Sequence, residues 1–155
     1  MQISDLRTSN IYKGTHLNVN FEIVHWGLAQ KNQPAANNNK GRWNFYIYLL
    51  ESELTNFNDF WIEPEIKEFS PSGTKYISYD YYASPLYSAD FHGGITFWEG
   101  LNNLIPGCRS IKVGCDYSHL FDQERGYDYE LSDVLQDCTT TIEQLQPLFK
   151  LKSCQ

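Results

Sequence analysis

The chain has no uninterrupted apolar stretch near the roughly 20 residues that a membrane-crossing helix needs. Its start, Met1-Gln2-Ile3-Ser4-Asp5-Leu6-Arg7, has neither the basic opening nor the apolar core of a secretory leader. A cytoplasmic protein with no membrane partner is therefore expected. Positive charge is also scarce: 12 lysines and arginines stand against 19 aspartates and glutamates, a formal net charge of −7. Such a surface repels phosphate backbones and anionic lipid, so binding to bulk nucleic acid is not expected. The acidic residues are scattered rather than massed in a run, which argues for a solvated surface and against mimicry of DNA. Cysteine is sparse. Cys108, Cys115, Cys138 and Cys154 contain no C-x-x-C pair, which leaves no zinc knuckle and no redox dithiol. Cys115 and Cys138 read as small core residues, and a Cys108–Cys115 disulfide is not expected in a reducing compartment. A P-loop, a G-x-G-x-x-G turn, a G-x-S-x-G elbow, an H-E-x-x-H helix and paired H-x-T/S motifs are all missing, so no common enzyme class announces itself.

What is present suits one domain over residues 1–155, a length able to bury a sizeable core. His16–His25 alternates, with Leu17, Val19, Phe21 and Ile23 on one face and Asn18, Asn20 and Glu22 on the other, which predicts a half-buried strand. Residues 29–41 are polar, are broken by Pro34 and Gly41, and read as a long loop. Trp43–Leu49 alternates again, with Trp43, Phe45, Ile47 and Leu49 inward. Between Glu51 and Tyr87 no period is sustained, and only a strand at Lys75–Tyr81 is expected. Asp90–Trp98 and Ser110–Asp116 read as two strands of a hairpin joined by Glu99–Arg109, which carries Gly100, Pro106 and Gly107. From about Asp128 the period becomes helical: Leu131, Val134, Leu135, Cys138, Ile142 and Leu145 share a stripe, and Pro147 ends the helix near Gln146. The expected fold is α+β, an antiparallel sheet of four to six strands backed by one C-terminal amphipathic helix.

Strict alternation in Asp90–Trp98 puts Phe91, Ile95 and Phe97 on the core face and His92, Gly94, Thr96 and Trp98 on the other. In the neighbouring strand Ile111, Val113 and Cys115 face the core, and Lys112, Gly114 and Asp116 face away. An antiparallel register that buries both apolar faces then sets His92 opposite Asp116, Gly94 opposite Gly114 and Thr96 opposite Lys112, with facing Cβ atoms roughly 4.5–5.5 Å apart. Two facing glycines would bare the backbone, and Gly93, Gly94, Thr96, Lys112 and Gly114 would line a ligand groove beside an imidazole–carboxylate pair. A side chain placed at position 94 would fill it. Asp116, His119 and Asp122 follow at intervals of three, so one helical turn would stack them, and with His92 they form a two-histidine, two-carboxylate set suited to a divalent metal. The same residues also have plain structural readings: a bulge or bend at Gly93-Gly94, a hydrogen-bonded His–Asp pair, and a solvated charge at Lys112.

Asp90-Phe-His-Gly-Gly-Ile-Thr96, Gly114-Cys-Asp-Tyr-Ser-His119 with Asp122, Tyr127 and the helix ending Glu143-Gln-Leu145, together with the aromatic stretch from Trp43, resemble a group of short uncharacterised proteins of phages and other mobile elements. The resemblance spans roughly residues 43–146. Its pattern places a small residue and then Gly-Asp after the histidine, where this chain has Leu120-Phe121 before Asp122. It implies a bacterial or prophage origin and brings no activity. Two functions fit the constellation. In one, a small phage protein binds a nucleotide-like ligand or a host protein and counteracts host defence. In the other, a hydrolase, metal-dependent or not, acts on a phosphate-containing small molecule through His92, Asp116 and His119, with Lys112 and Thr96 binding the anion.

Overall fold

The computed structural model describes residues 9–26, 42–78, 85–126 and 128–150. The expected loop 29–41 and the end of the expected strand 75–81 lie outside the described residues. The fold is α+β. Five antiparallel strands make one sheet in the order β1 (Ser9–His16), β2 (Val19–Trp26), β3 (Arg42–Leu50), β7 (Cys108–Asp116) and β6 (Phe97–Ile105). A separate two-stranded hairpin is formed by β4 (Glu65–Phe69) and β5 (Thr74–Ser78). A short helix α1 (Leu120–Glu124) follows β7, and the principal helix α2 (Leu131–Leu145) backs the sheet. Among the described residues no helix is long and apolar enough to cross a membrane.

The central strands follow their alternation. Trp43, Phe45, Ile47 and Leu49 of β3 and Ile111, Val113 and Cys115 of β7 are buried on the face that α2 covers. At the edge the expectation shifts. Leu17 is not part of a strand: with Asn18 it forms the β1–β2 turn, both at positive φ (49° and 64°), the conformation that two-residue hairpins demand. Its side chain is half exposed.

The larger departure is in Asp90–Trp98, which is not a strand along its length. Gly93 and Gly94 both take positive φ (69° and 94°), and the Gly94 N–H donates to the Phe91 carbonyl at 2.8 Å, so the chain turns there. Phe91 and Ile95 still reach the core, but extended pairing begins only at Phe97. Phe97 stands opposite Gly114 and Trp98 opposite Val113, a register that reverses the expected faces and puts Trp98 inward. The connection is correspondingly shorter than expected, with strands running to Ile105 and from Cys108 and only Pro106-Gly107 between them. Pro at the first corner and a Gly at φ 75° at the second are what a type II turn requires.

Helix α2 buries Val134, Cys138, Thr141, Ile142 and Leu145. Thr141 joins the core stripe and Leu135 does not. Leu135 is 39% exposed, one position off that stripe. The single Thr141 hydroxyl hydrogen is satisfied by two carbonyl acceptors within reach, Asp90 at 2.7 Å and Asp137 at 2.9 Å, so a polar group is tolerated there. Helical hydrogen bonding ends at Gln146, beside Pro147. Cys108, Cys115 and Cys138 are free thiols. Burial raises the Cys115 thiol well above its usual range and the Cys138 thiol to about 12, so both behave as inert core residues. In urea denaturation Ile142→Ala should cost about 2–5 kcal/mol. Leu135→Ala should cost less than about 1 kcal/mol.

Candidate functional site

Functional side chains gather where β7 ends and the turn before β6 passes the first half of α2. Asp90 fixes the start of that turn. Its N–H donates to Gln144 Oε1 at 2.6 Å, Gln144 Nε2 donates to Asp90 Oδ2 at 3.1 Å, and its carbonyl accepts from Thr141. Phe91 stacks on Phe45 in the core, with ring centroids 6.0 Å apart. Held at both points, the next residue, His92, turns its ring flat onto Tyr117, centroids 3.7 Å apart and planes 12° from parallel. The Tyr117 hydroxyl donates to Asp137 Oδ2 at 2.6 Å, and burial together with that carboxylate raises its pKa above the usual phenol range.

The centre of the cluster is Asp122. Its side chain is fully buried, and it receives Nε2 of His92 at 2.7 Å and the Tyr129 hydroxyl at 2.5 Å on Oδ1, and the His119 N–H at 3.0 Å on Oδ2. Nδ1 of His119 lies 3.3 Å from that same Oδ2. A carboxylate only accepts, so the His92 nitrogen facing it carries the hydrogen. Burial alone would raise the Asp122 pKa, but the hydrogen bonds from Tyr129, the His119 N–H and His92 outweigh it and hold the group below its ordinary value. Asp122 is the third residue of α1, so its bond to the His119 N–H also closes the N-terminus of that helix. The Tyr129 hydroxyl is pushed above its usual pKa by burial and by Asp122.

Of the residues singled out from sequence, His92, His119 and Asp122 come together, with one potential ligand atom from each within 4.8 Å of the others. Asp116 stands at the rim, its Oδ1 3.7 Å from His119 Nδ1. It neither pairs with His92 nor shares a helical turn with His119, because β7 runs to Asp116 and helix begins only at Leu120. The expected facing pairs are therefore corrected: the turn at Gly93-Gly94 carries His92 off the sheet and toward α2, where Asp137 Oδ2 lies 3.7 Å from its Nδ1.

The expected glycine groove is absent for the same reason. Gly114 pairs with Tyr46 and Phe97, not Gly94, and a Cβ there would collide with the Phe45 carbonyl oxygen, so this glycine serves close strand packing. Gly93 gives room to the His119 ring, which lies where its Cβ would be. Gly94 has only the Tyr87 hydroxyl nearby, but its positive φ makes a substitution there strained despite the space. Thr96 is exposed, and its N–H donates to the Gly114 carbonyl at 3.0 Å. Lys112 belongs to the opposite face of the sheet. Its ammonium lies 4.5 Å from the centre of the Tyr46 ring and 3.9 Å from Glu22 Oε2, so it is engaged by these groups and not by the histidines. Five contributors carried no local signal: Tyr117, Tyr129, Asp137, Phe121 and Arg125. Phe121 is half exposed and stacks on His119, centroids 5.3 Å apart, while the Arg125 guanidinium sits 4.6 Å over the Tyr129 ring. Both lie on or just past α1, spaced i, i+4.

Asp122→Asn should cost about 3–5 kcal/mol, since it leaves buried donors facing an amide. Acid titration of stability supplies the sign. The folded-state pKa of Asp122 is depressed, so its contribution is present above roughly pH 4, its unfolded value, and fades as pH falls through the folded value. Wild type should therefore lose stability on acidification, and the Asn variant should show a flatter acid limb in chemical denaturation. Comparison of the chain with family models, curated proteins and solved structures finds no significant match, so its function has to be read from this site alone.

Proposed function

We propose that the chain is a hydrolase of phosphate-containing, nucleotide-like small molecules whose reacting centre is the cluster of His92, His119 and Asp122. The observation that carries this reading is the buried Asp122 carboxylate gripping two imidazoles from separate segments. Such preorganisation fixes ring orientation before a substrate arrives. Anion binding, which the sequence assigned to Lys112 and Thr96, falls instead to Arg125, a planar cation able to take two phosphate oxygens at once. Phe121 offers a half-exposed ring beside both histidines, on which a base or other planar group would stack. The attacking water is activated at the cluster.

A second reading is favoured by the same carboxylate: its acceptor sites are already filled by four donor groups, so the cluster is complete as a rigid receptor. On that reading a phage or mobile-element protein sequesters a nucleotide-like ligand, or blocks a host protein, without turnover. Phosphorus NMR of the purified protein with mononucleotides, dinucleotides and p-nitrophenyl phosphate separates the two. Product resonances are expected, with turnover lost in His119→Ala and KM raised at least about tenfold in Arg125→Ala, the loss of one charge-assisted contact. Saturable binding without product would select the receptor reading. Neither turnover nor binding across the panel would sink both.

A further inference from the structure

We propose that His92, His119 and Asp122 bind a divalent transition-metal ion, of which zinc is the type, and that the site leaves one face of the ion open. As a binding site this stands on its own geometry; its use in catalysis rests on the hydrolase reading above.

Two imidazole nitrogens and one carboxylate oxygen form the mixed nitrogen–oxygen set that zinc and its neighbours take in open sites, whereas magnesium and calcium call for oxygen throughout. One such atom from each residue lies within 4.8 Å of the other two. His92 Nε2 and Asp122 Oδ1 are 2.7 Å apart, so they can share an ion after only a small opening of the pair.

Charge points the same way. Three carboxylates surround the two rings: Asp122 between them, Asp116 with Oδ1 3.7 Å from His119 Nδ1, and Asp137 with Oδ2 3.7 Å from His92 Nδ1. Three carboxylates around two imidazoles concentrate negative charge in a site whose central carboxylate is wholly buried. The cation beside them, Arg125, lies over Tyr129. A divalent ion would balance that negative charge.

The outer partners are also in place. When His92 Nε2 turns its lone pair to a metal, its hydrogen must move to Nδ1, the nitrogen that faces Asp137. Asp137 is itself held by the Tyr117 hydroxyl at 2.6 Å, and Asp122 by the Tyr129 hydroxyl. At 3.7 Å Asp137 is just beyond hydrogen-bond range of Nδ1, and a small shift of the pair on metal binding would complete the carboxylate–histidine–metal arrangement that fixes tautomer and ring direction in metal sites. Three protein ligands leave a coordination position for water or a phosphate oxygen. Phe121 packs against His92 and Arg125 lies over Tyr129, so both stand beside the cluster.

The test uses the full chain, stripped with chelator and dialysed, then titrated with Co2+ and Zn2+. One equivalent of Co2+ is expected to give visible absorption bands typical of nitrogen–oxygen coordination, displaced by Zn2+, and to shift or broaden the imidazole NMR signals of His92 and His119 but not His16. His92→Ala and His119→Ala should each weaken Zn2+ binding by at least about a hundredfold in calorimetry, and Asp137→Asn by about tenfold to a hundredfold, as expected of an outer partner. Wild-type NMR needs no folded variant, so misfolding of a substitution does not spare the idea. Absence of stoichiometric binding, unperturbed His92 and His119 signals, or binding kept in both alanine variants would overturn it. Turnover of a phosphate ester by metal-free protein, with no ion bound, would overturn a catalytic use for the ion while leaving the hydrolase reading intact. An ion bound at this site with no phosphate compound processed would sustain the metal proposal and remove the hydrolase reading.

Discussion

The structure around the site depends on one buried carboxylate. Asp122 has no exposed surface, and taking an ionised carboxyl out of water costs several kcal/mol unless hydrogen bonds replace its hydration. Here the replacements come from three places in the chain: His92 in the turn after Asp90, His119 at the start of α1, and Tyr129 just before α2. The His92 turn is also anchored by Phe91 and Ile95 in the core. The need to keep one negative charge satisfied ties these segments together, and removing any donor would leave the others around a charge they cannot balance.

The parts that the sequence made legible are those where burial on one side enforces a simple period. In β3 and β7 every second side chain is at or near zero exposure, so alternation and structure coincide. Helix α2 follows its stripe except that Leu135 is partly exposed and Thr141, six residues on, is buried with its hydroxyl hydrogen-bonded. β1 was not legible because it is an edge strand whose Ile11 and Tyr12 are exposed, leaving no buried face to write into the sequence. The Asp90–Trp98 segment misled for a more specific reason. Phe91 and Ile95 are buried as alternation demands, yet two glycines at positive φ stand between them, and an alternation pattern does not register a change of backbone direction.

The site was legible in its members and not in its contacts. His92, His119 and Asp122 stood out as a polar set near glycines, and they do meet. Asp116 was given the central place, but a strand that continues to Asp116 leaves it at the rim, and Asp122 becomes the buried partner. Spacing could not show this, because the exchange depends on where β7 stops and α1 begins. Tyr117, Tyr129 and Asp137 are brought in by packing of segments distant in the chain. Lys112 was misassigned because a lysine on a sheet face reads as free charge. Three aromatic rings, Tyr46, Tyr48 and Phe97, and the Glu22 carboxylate hold it instead.

Helix α1 spans only Leu120–Glu124. Five residues are far too few to hold a helix by backbone hydrogen bonds alone, since nucleation is unfavourable and isolated helices below about 12 residues are marginal. Its persistence therefore depends on the Asp122 bonds, and those bonds are also the site. Loss of His92 or Tyr129 contact and fraying of α1 become a single local opening, separate from the cooperative melting of the five-stranded sheet. Amide protons of α1 would then exchange with solvent in step with the state of the cluster, making the backbone of this short segment a direct gauge of whether the site is closed.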